Sequence, residues 1–269
     1  IRDSINNLPK RIIEKQSLAV DGYSGATFSS KAVIGAVQNA LKKASTDISP
    51  LLVAPSVVAV KLPKNESVDV LVVGSGIAGM VAGITASEKG RNVLIIEKQS
   101  MLGAGDSMNI STGITAGGSR LIKELGIKNA TAKDYADFLV KQAADKKVPI
   151  NEKNVRTYAM RGGELVDWLM DMGVPFGRFQ RDKWFHITQD GSAPGPHIVR
   201  ALSKRIANDK IAYRLNSQVV NLIMKNGKVV GAKVKTDAGS YTVNAKAVVM
   251  ATGGFSASHD LVAKWAPEW

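Results

Sequence analysis

The chain has 269 residues, of which 45% are hydrophobic and 22% charged, the composition of an ordinary globular protein. It contains no cysteine, which excludes disulfides, thiolate metal sites, cysteine nucleophiles and cysteine-ligated iron–sulfur clusters within this sequence. The formal net charge is +13, but the basic residues are scattered and no nucleic-acid-binding motif accompanies them. No apolar run approaches the roughly 20 residues that a helix needs to cross a bilayer.

The first block of the sequence, residues 1–45, predicts a helix that Ser29 or Ser30 can cap. The apolar stripe of this helix has i, i+4 spacing and consists of Val33, Val37, Ala40 and Leu41. The block is too short for a comfortable core of its own, so we expect it to be the end of a domain whose start is missing. Residues 46–66 contain three prolines and predict an extended linker with one short strand at 56–61.

Residues 67–269 alternate between strand and helix patterns and predict an α/β domain. The apolar run at 68–73 is typical of a buried parallel strand, and a helix and a second strand follow at 77–89 and 92–97. Further helices are expected at 132–145, 152–172 and 197–208, separated by a loop at 99–119 and by irregular residues at 174–194. The remaining strands are expected at 212–215, 219–225, 229–236, 241–243 and 247–250. Asn226 and Gly227 are a strong hairpin-turn signal, so the domain is predicted to be Rossmann-like with an added antiparallel β-meander.

Three glycines with G-x-G-x-x-G spacing follow the first strand of this domain and open its first helix. The first permits a tight turn, the second lets the backbone approach a pyrophosphate, and the third lets the helix pack closely on the strand. The N-terminus of that helix offers free N–H groups to the phosphate charge. The predicted phosphate-binding residues are Gly74, Ser75, Gly76 and Gly79.

An acidic residue, Glu97, ends the second strand, 23 positions after Gly74. An acid at about this spacing hydrogen-bonds the ribose of a dinucleotide and disfavours the 2′-phosphate of NADP. The strand, glycines, helix and acid together predict a dinucleotide site, and by themselves they leave FAD and NAD open.

Three segments beyond Glu97 carry a resemblance to a known family. They read Leu-Gly-Ala-Gly-Asp-Ser at 102–107, Ser-Thr-Gly-Ile at 111–114 and Ala-Lys-Ala-Val-Val-Met-Ala-Thr-Gly-Gly-Phe at 245–255. In this combination they resemble the FAD domain of the fumarate reductase flavoproteins, most closely the soluble flavocytochrome c and urocanate reductase branch, over residues 67–258. Besides the phosphate-binding residues, the resemblance implies FAD contacts at Ala78, Glu97, Lys98, Gly103, Asp106, Ser107, Thr112, Gly113, Val219, Ala251, Thr252 and Gly253.

The loop after Glu97 suits FAD because glycine-rich backbone can run close to a flat ring system where side chains would collide. The sequence departs from the family at Asp106, where the family usually has asparagine, and at Thr112, where it often has glycine. Membrane-bound relatives attach FAD covalently through a histidine in this loop. No histidine lies between residues 101 and 118, so the resemblance implies non-covalent FAD.

A second motif, Asp-Gly-Tyr-Ser-Gly-Ala-Thr at 21–27, resembles the acceptor site of FMN-binding domains. In that family the final threonine carries FMN through a phosphoester bond, which a separate flavin transferase makes. The resemblance implies covalent FMN on Thr27, with Asp21, Ser24, Gly25 and Ala26 as recognition residues. Residues 1–45 are then the C-terminal part of a small α+β FMN-binding domain, residues 46–66 a linker, and residues 67–269 an incomplete FAD-binding domain.

Together the two resemblances imply a reductase that moves electrons from FMN to FAD and then, as hydride, to the C=C bond of an unsaturated carboxylate. Fumarate, urocanate, acrylate and cinnamate types are the expected substrates, and an electron-donor protein or domain is an expected partner. Nucleic acid and a transmembrane segment are not expected. The absence of cysteine slightly favours an extracytoplasmic location.

No catalytic residue can be named, because in the family the arginine and histidines that act on the substrate lie in a capping domain that this sequence is expected to lack. No metal site is predicted either, since His186, His197 and His259 have no metal-ligand spacing. Two alternatives stay open. One is an FAD-dependent dehydrogenase or oxidase of the same superfamily, acting for example on a ketosteroid or aspartate. The other is a flavin electron-transfer module without a substrate of its own.

Overall fold

The computed structural model describes residues 2–15, 17–20, 22, 27–44, 47–52, 66–109 and 113–267. The first block contains helix α1 (Arg2–Lys15), helix α2 (Thr27–Ala44) and a 3-10 turn at Ser49–Leu52. Their small apolar core consists of Leu8, Ile12 and Leu18, with Val33, Val37 and Leu41 packed against it. The apolar stripe predicted for α2 therefore faces a core. The strand predicted at 56–61 lies outside the described residues.

The predicted start of α2 is wrong, because the helix begins at Thr27 and neither Ser29 nor Ser30 is its N-cap. Ser30 is buried, and a Cβ built on Gly22 would lie 2.9 Å from the Cβ of Ser30. A residue covered in this way is placed by packing, which outweighs its local preference for a helix end. Helix α1 was not predicted, and it contains Pro9, a residue that normally disfavours a helix interior.

The second block forms a mixed α/β domain. Its elements begin with β1 (Glu66–Val73), α3 (Ile77–Glu88), β2 (Val93–Ile96), β3 (Ile114–Thr115), α4 (Arg120–Glu124), α5 (Ala132–Asp145) and α6 (Glu152–Asp171). They continue with β4 (Phe176–Phe179), β5 (Phe185–Thr188), α7 (Pro194–Asn208), β6 (Ala212–Arg214), β7 (Gln218–Lys225), β8 (Lys228–Thr236), β9 (Gly239–Met250) and α8 (His259–Trp265).

The main sheet has six strands in the order β6-β2-β1-β9-β8-β7. Strands β6, β2, β1 and β9 are parallel to one another, while β7, β8 and β9 form an antiparallel meander. Asn226 and Gly227 both have positive φ in the β7–β8 turn, as a type I′ hairpin requires. The fold class predicted from the sequence, a Rossmann-like domain with an added meander, is confirmed.

Strand β9 joins the two parts of the sheet, and it is continuous where the sequence predicted two separate strands. Its first half pairs with β8, and its second half runs beside β1 up to the pair Val73–Met250. Asn244 and Lys246 interrupt the apolar pattern, but both are exposed and alternate with the buried Val243 and Ala245. They therefore mark one face of a single strand rather than a break.

Successive apolar side chains of β1 and β2 point to opposite faces of the sheet, so the parallel strands have a core on each face. Val72, Val93 and Ile95 pack with α3, α6 and α7 on one side. Leu71, Leu94 and Ile96 pack on the other side against the meander, where Val234, Tyr241 and Val243 are buried. Burial of both faces leaves the ends of the strands as the accessible part of this sheet.

A second sheet, in the order β3-β5-β4, occupies residues that the sequence predicted to be irregular. The prediction that 174–194 is irregular is wrong, since β4 and β5 lie there. These strands were missed because each has only four residues and a bulge lies between Phe176 and Arg178. Such short strands lack a readable period, and their pairing depends on contacts distant in sequence. Helix α7 also begins earlier than predicted, at Pro194, and α4 and α8 were not predicted.

His186 on β5 is completely buried and links this sheet to α4. Its Nδ1 lies 2.9 Å from the carbonyl oxygen of Trp184, which can only accept, so Nδ1 carries the proton. The hydroxyl of Ser119 then donates to Nε2 over 2.7 Å, and the same oxygen accepts from the Ile122 N–H at the start of α4. Burial lowers the pKa of His186, with partial opposition from the carbonyl groups of Trp184 and Ile114.

Among the described residues, no helix is long and apolar enough to cross a membrane.

The buried neutral His186 should make the fold sensitive to mild acid. Because its folded pKa is depressed, the unfolded chain takes up the proton first, at a pH near the ordinary histidine value of about 6.5. The free energy of unfolding should therefore fall as the pH drops from 7.5 to 5.5. Denaturant unfolding at both pH values should show a smaller fall for His186→Gln than for the wild type. The exposed His259→Gln should keep the wild-type fall, and an equal loss in both variants would contradict this assignment.

Candidate functional site

The predicted cofactor residues meet at the carboxyl ends of the parallel strands. Val73, at the end of β1, pairs with Ile96 of β2 on one side and with Met250 of β9 on the other. Gly74, Glu97 and Ala251 follow these three strand ends directly. In open α/β sheets ligands bind outside this edge.

Steric limits explain the glycines at the end of β1. Gly74 has φ +98°, and a Cβ there would overlap the carbonyl oxygen of Ala251. A Cβ on Gly79 would overlap the carbonyl oxygen of Gly74. A Cβ on Gly76 would lie 3.1 Å from the hydroxyl of Ser107. The backbone of this loop is therefore close to both neighbouring segments, and it leads directly into the N-terminus of α3 at Ile77.

Glu97 is buried, and its carboxylate accepts hydrogen bonds from the loops around it. Oε2 accepts from both the N–H and the hydroxyl of Ser75, each at 2.8 Å. Oε1 accepts from the N–H of Gln99 at 2.7 Å. A carboxylate has about four acceptor positions, so a ribose hydroxyl can still donate to it. Ser75 lies beneath the loop, where its side chain braces Glu97 and is not exposed.

The glycine-rich loop after β2 returns to the start of α3. Gly103 donates to the carbonyl oxygen of Ser75 over 2.9 Å, and Ser107 accepts from the Ile77 N–H over 2.9 Å. Ser107 thus lies at the helix N-terminus, which is where a phosphate is stabilised. A cavity of about 450 Å³ opens here, and its lining residues are Ile77, Ala78, Val81, Asp106, Ser107 and Leu165.

The other predicted contacts of this part of the chain differ in their exposure. Asp106 and Lys98 are exposed. Gly113 packs on β5, where a Cβ would come within 2.6 Å of the Phe185 ring. Thr112 lies outside the described residues.

Strand β9 and the meander complete the edge. The Ala251 N–H donates to the carbonyl oxygen of Val73 over 2.8 Å, and the exposed Thr252 and Gly253 follow. Val219 packs its side chain against the meander core, and its FAD contact stays a prediction. The Ser217 N–H donates to the backbone oxygen of Glu97 over 2.9 Å, so the start of β7 lies next to the acid.

The predicted FMN residues are only partly described. Asp21, Ser24, Gly25 and Ala26 lie outside the described residues. Thr27 is the first residue of α2, an 18-residue helix, so the predicted attachment point stands at a helix N-terminus.

One polar cluster was not predicted from the sequence. The Ser192 hydroxyl donates to Asp190 over 2.7 Å and lies 2.9 Å from Nε2 of His197, in the loop before α7. The side-chain and backbone donors of Ser192 lower the pKa of Asp190 to about 2. The spacing Asp-x-Ser before a helix was the available signal, and the cluster ties the loop to the first turn of α7.

Comparison with known proteins agrees with this geometry. Residues 69–268 match the FAD binding domain family, and residues 4–42 match the FMN-binding domain family. The chain therefore belongs to the FAD binding domain family. The predictions of an FAD-binding and an FMN-binding domain are confirmed, while Thr27 as the attachment point stays a prediction.

The relatives confirm the resemblance to fumarate reductase flavoproteins. NADH:fumarate oxidoreductase of Klebsiella pneumoniae (strain 342) is 32% identical over 272 residues, which cover 98% of this chain and 28% of that protein. Urocanate reductase of Eggerthella lenta is 30% identical over 277 residues, which cover 98% of this chain and 44% of that protein. The open conformation of a flavocytochrome c3 fumarate reductase has a TM-score of 0.70 and 28% identity, over 86% of this chain and 39% of that one. The chain spans less than half the length of these relatives.

Gly79→Ala should disrupt the phosphate-binding loop because the new Cβ overlaps the Gly74 carbonyl oxygen. We expect FAD affinity to fall at least about tenfold, equivalent to about 1.4 kcal/mol. Fluorescence titration of the apoprotein with FAD measures this change. Gly254→Ala is the control, since a Cβ there meets nothing within 4 Å. Wild-type affinity in Gly79→Ala would show that the close approach is unnecessary.

Proposed function

We propose that the chain is part of a two-flavin reductase that delivers electrons from FMN on Thr27 to FAD, and from FAD to the C=C bond of an unsaturated carboxylate. The observation that carries the proposal is the presence of both flavin-binding modules in one chain, FMN-binding at 4–42 and FAD-binding at 69–268. A dehydrogenase or oxidase acting alone needs only the second module.

The described residues are suited to holding FAD along the carboxyl edge of the sheet. The loop from Gly74 to Gly79 and the N-terminus of α3 would receive the pyrophosphate, and Glu97 would accept from the ribose. Ser107 and Asp106 line the cavity beside the helix start, and the exposed backbone at Thr252 and Gly253 closes the edge beside β9. Bound there, FAD would supply hydride chemistry, and the protein contributes position and exclusion of water.

The substrate class follows from the relatives and from the charge. Two relatives are named as reductases of fumarate and urocanate, both unsaturated carboxylates. The net charge of +13 favours attraction of an anionic substrate. An electron-donor protein or domain and a flavin transferase are the partners that this reaction requires. None of the described residues is assigned a catalytic role.

Thr27→Ala tests the FMN half of the proposal. The variant should lose the flavin fluorescence that survives denaturing electrophoresis, because no hydroxyl remains to carry the phosphoester. It should keep FAD, which acid precipitation should release from both proteins. Ser29→Ala is the matched control, since it removes a hydroxyl in the same helical turn. Fluorescence retained in Thr27→Ala would place FMN elsewhere.

Turnover with unsaturated acids tests the FAD half of the proposal. The full-length, flavin-loaded protein with reduced methyl viologen should reduce at least one of fumarate, urocanate, acrylate and cinnamate. Oxidation of the viologen, followed by its absorbance, measures the reaction. Thr27→Ala should keep this activity in part if viologen reduces FAD directly. Flavins that reoxidise with none of these acids would favour an electron-transfer module instead.

A further inference from the structure

A second cavity lies behind the loop that carries Gly103 and Ser107. Its volume is about 370 Å³, and its walls come from the loop, from α7 and from β6. The residues that define it are Met101, Leu102, Met108, Val199, Arg200 and Tyr213. It shares no lining residue with the cavity at the start of α3, so it is separate from the predicted phosphate site.

The walls are mostly apolar, with one charge. Met101 and Met108 provide flexible, polarizable surface that adapts to irregular ligands. Tyr213 is 41% and Met101 37% exposed at the opening, so the cavity communicates with solvent. A concave, largely apolar site of this size with a few polar groups is typical of small-molecule binding.

Arg200 sets the charge of the ligand. It is exposed on α7 and makes no ion pair with any residue that the structure describes. Within the described part of the chain no acidic side chain lines the cavity. Tyr213 adds a hydroxyl group on the same walls, while the hydroxyl of the lining residue Ser203 donates to Sδ of Met80. A guanidinium presents a planar fork of donors that matches a carboxylate, so these walls favour one anionic group on an apolar body.

We propose that this cavity binds a small monocarboxylic acid with an apolar aryl or alkyl body. The bound acid holds the loop that carries Gly103 and Ser107, called the FAD loop, in the conformation that binds FAD. The site is additional to the reductase site and does not depend on which substrate that site takes.

The contacts of the loop explain the second part of the proposal. Gly103 packs so closely on Val199 that a Cβ would overlap the valine side chain, and its N–H donates to Ser75 of the phosphate-binding loop. Met108 follows Ser107, whose hydroxyl accepts from the first turn of α3. A ligand against Leu102 and Met108 would therefore support both halves of the loop from behind. Thermodynamic linkage then requires that the acid strengthen FAD binding and that FAD strengthen acid binding by the same factor.

The binding experiment uses the full-length, FAD-loaded protein and 3-phenylpropanoate, which has one carboxylate, an aromatic body and no double bond to reduce. Isothermal titration calorimetry should detect binding to the wild type. Arg200→Gln should weaken it at least tenfold, and Met101→Glu should do the same by placing a like charge at the opening. Lys204→Gln is the matched control, because Lys204 is exposed one turn further along α7 and does not line the cavity. The neutral 3-phenylpropanamide should not bind.

The coupling experiment follows FAD release by the recovery of flavin fluorescence after dilution. Saturating 3-phenylpropanoate should slow release about fivefold in the wild type and in Lys204→Gln, and should have no effect in Arg200→Gln.

Three results would overturn the proposal. Binding unaffected by Arg200→Gln would place the acid at another site, such as the reductase site. Equal losses in Arg200→Gln and Lys204→Gln would indicate diffuse attraction to a basic surface. Normal binding without any change in FAD release would reject the support of the loop.

Discussion

The buried carboxylate of Glu97 is the interaction on which the cofactor edge depends. Its side chain accepts from Ser75 and Gln99, and its backbone N–H and oxygen pair with Arg214 and Ser217. One residue therefore connects the phosphate-binding loop, the glycine-rich loop, the end of β6 and the start of β7. A buried carboxyl group is tolerated only when hydrogen bonds replace its hydration, so these segments must keep their positions around Glu97. The acid orders the site before any ribose reaches it.

Close packing makes this edge narrow as well as ordered. Gly74 lies against Ala251 and Gly79 against Gly74, so the ends of β1 and β9 and the start of α3 approach each other at backbone distance. A similarly close contact occurs at Gly103, which lies against Val199 of α7. As a result the FAD loop touches α7 on one side and the phosphate-binding loop on the other. A displacement of the loop at its contact with α7 should therefore also displace it at its contact with the phosphate-binding loop. This is how the cavity near Arg200 and the cofactor edge can be coupled.

The two-sided core explains where function is located. Helices α3, α6 and α7 cover one face of the parallel strands, and the meander covers the other. Strand β9 makes this possible, since it belongs to both the meander and the parallel set. With both faces of the parallel strands covered by described residues, the strands themselves are accessible at their carboxyl ends. The FMN-binding block forms its own small core around Leu8 and Ile12.

The sequence alone determined the local chemistry of the site. The spacing of Gly74, Gly76 and Gly79, the position of Glu97 and the apolar strands predicted a dinucleotide edge, because each of these signals depends on neighbours within about 30 residues. The motif that ends at Thr27 predicted a second flavin through its resemblance to FMN-binding domains. The long helices were readable for the same reason, since an apolar period over three or more turns belongs to the helix itself.

Only the tertiary structure decided the features that depend on distant contacts. Ser30 looks like a helix cap in the sequence but is buried within α2. Strands β4 and β5 are too short for their sequences to show a strand period, and β5 is defined by its pairing with β3. The hydrogen bonds of Ser75 to Glu97, the buried Ser119–His186 pair and the cavity that Arg200 lines together with Met101 all join residues far apart in the chain. At these positions tertiary packing determines which of the locally allowed conformations is adopted, because the buried contacts outweigh the weak local preferences of single residues.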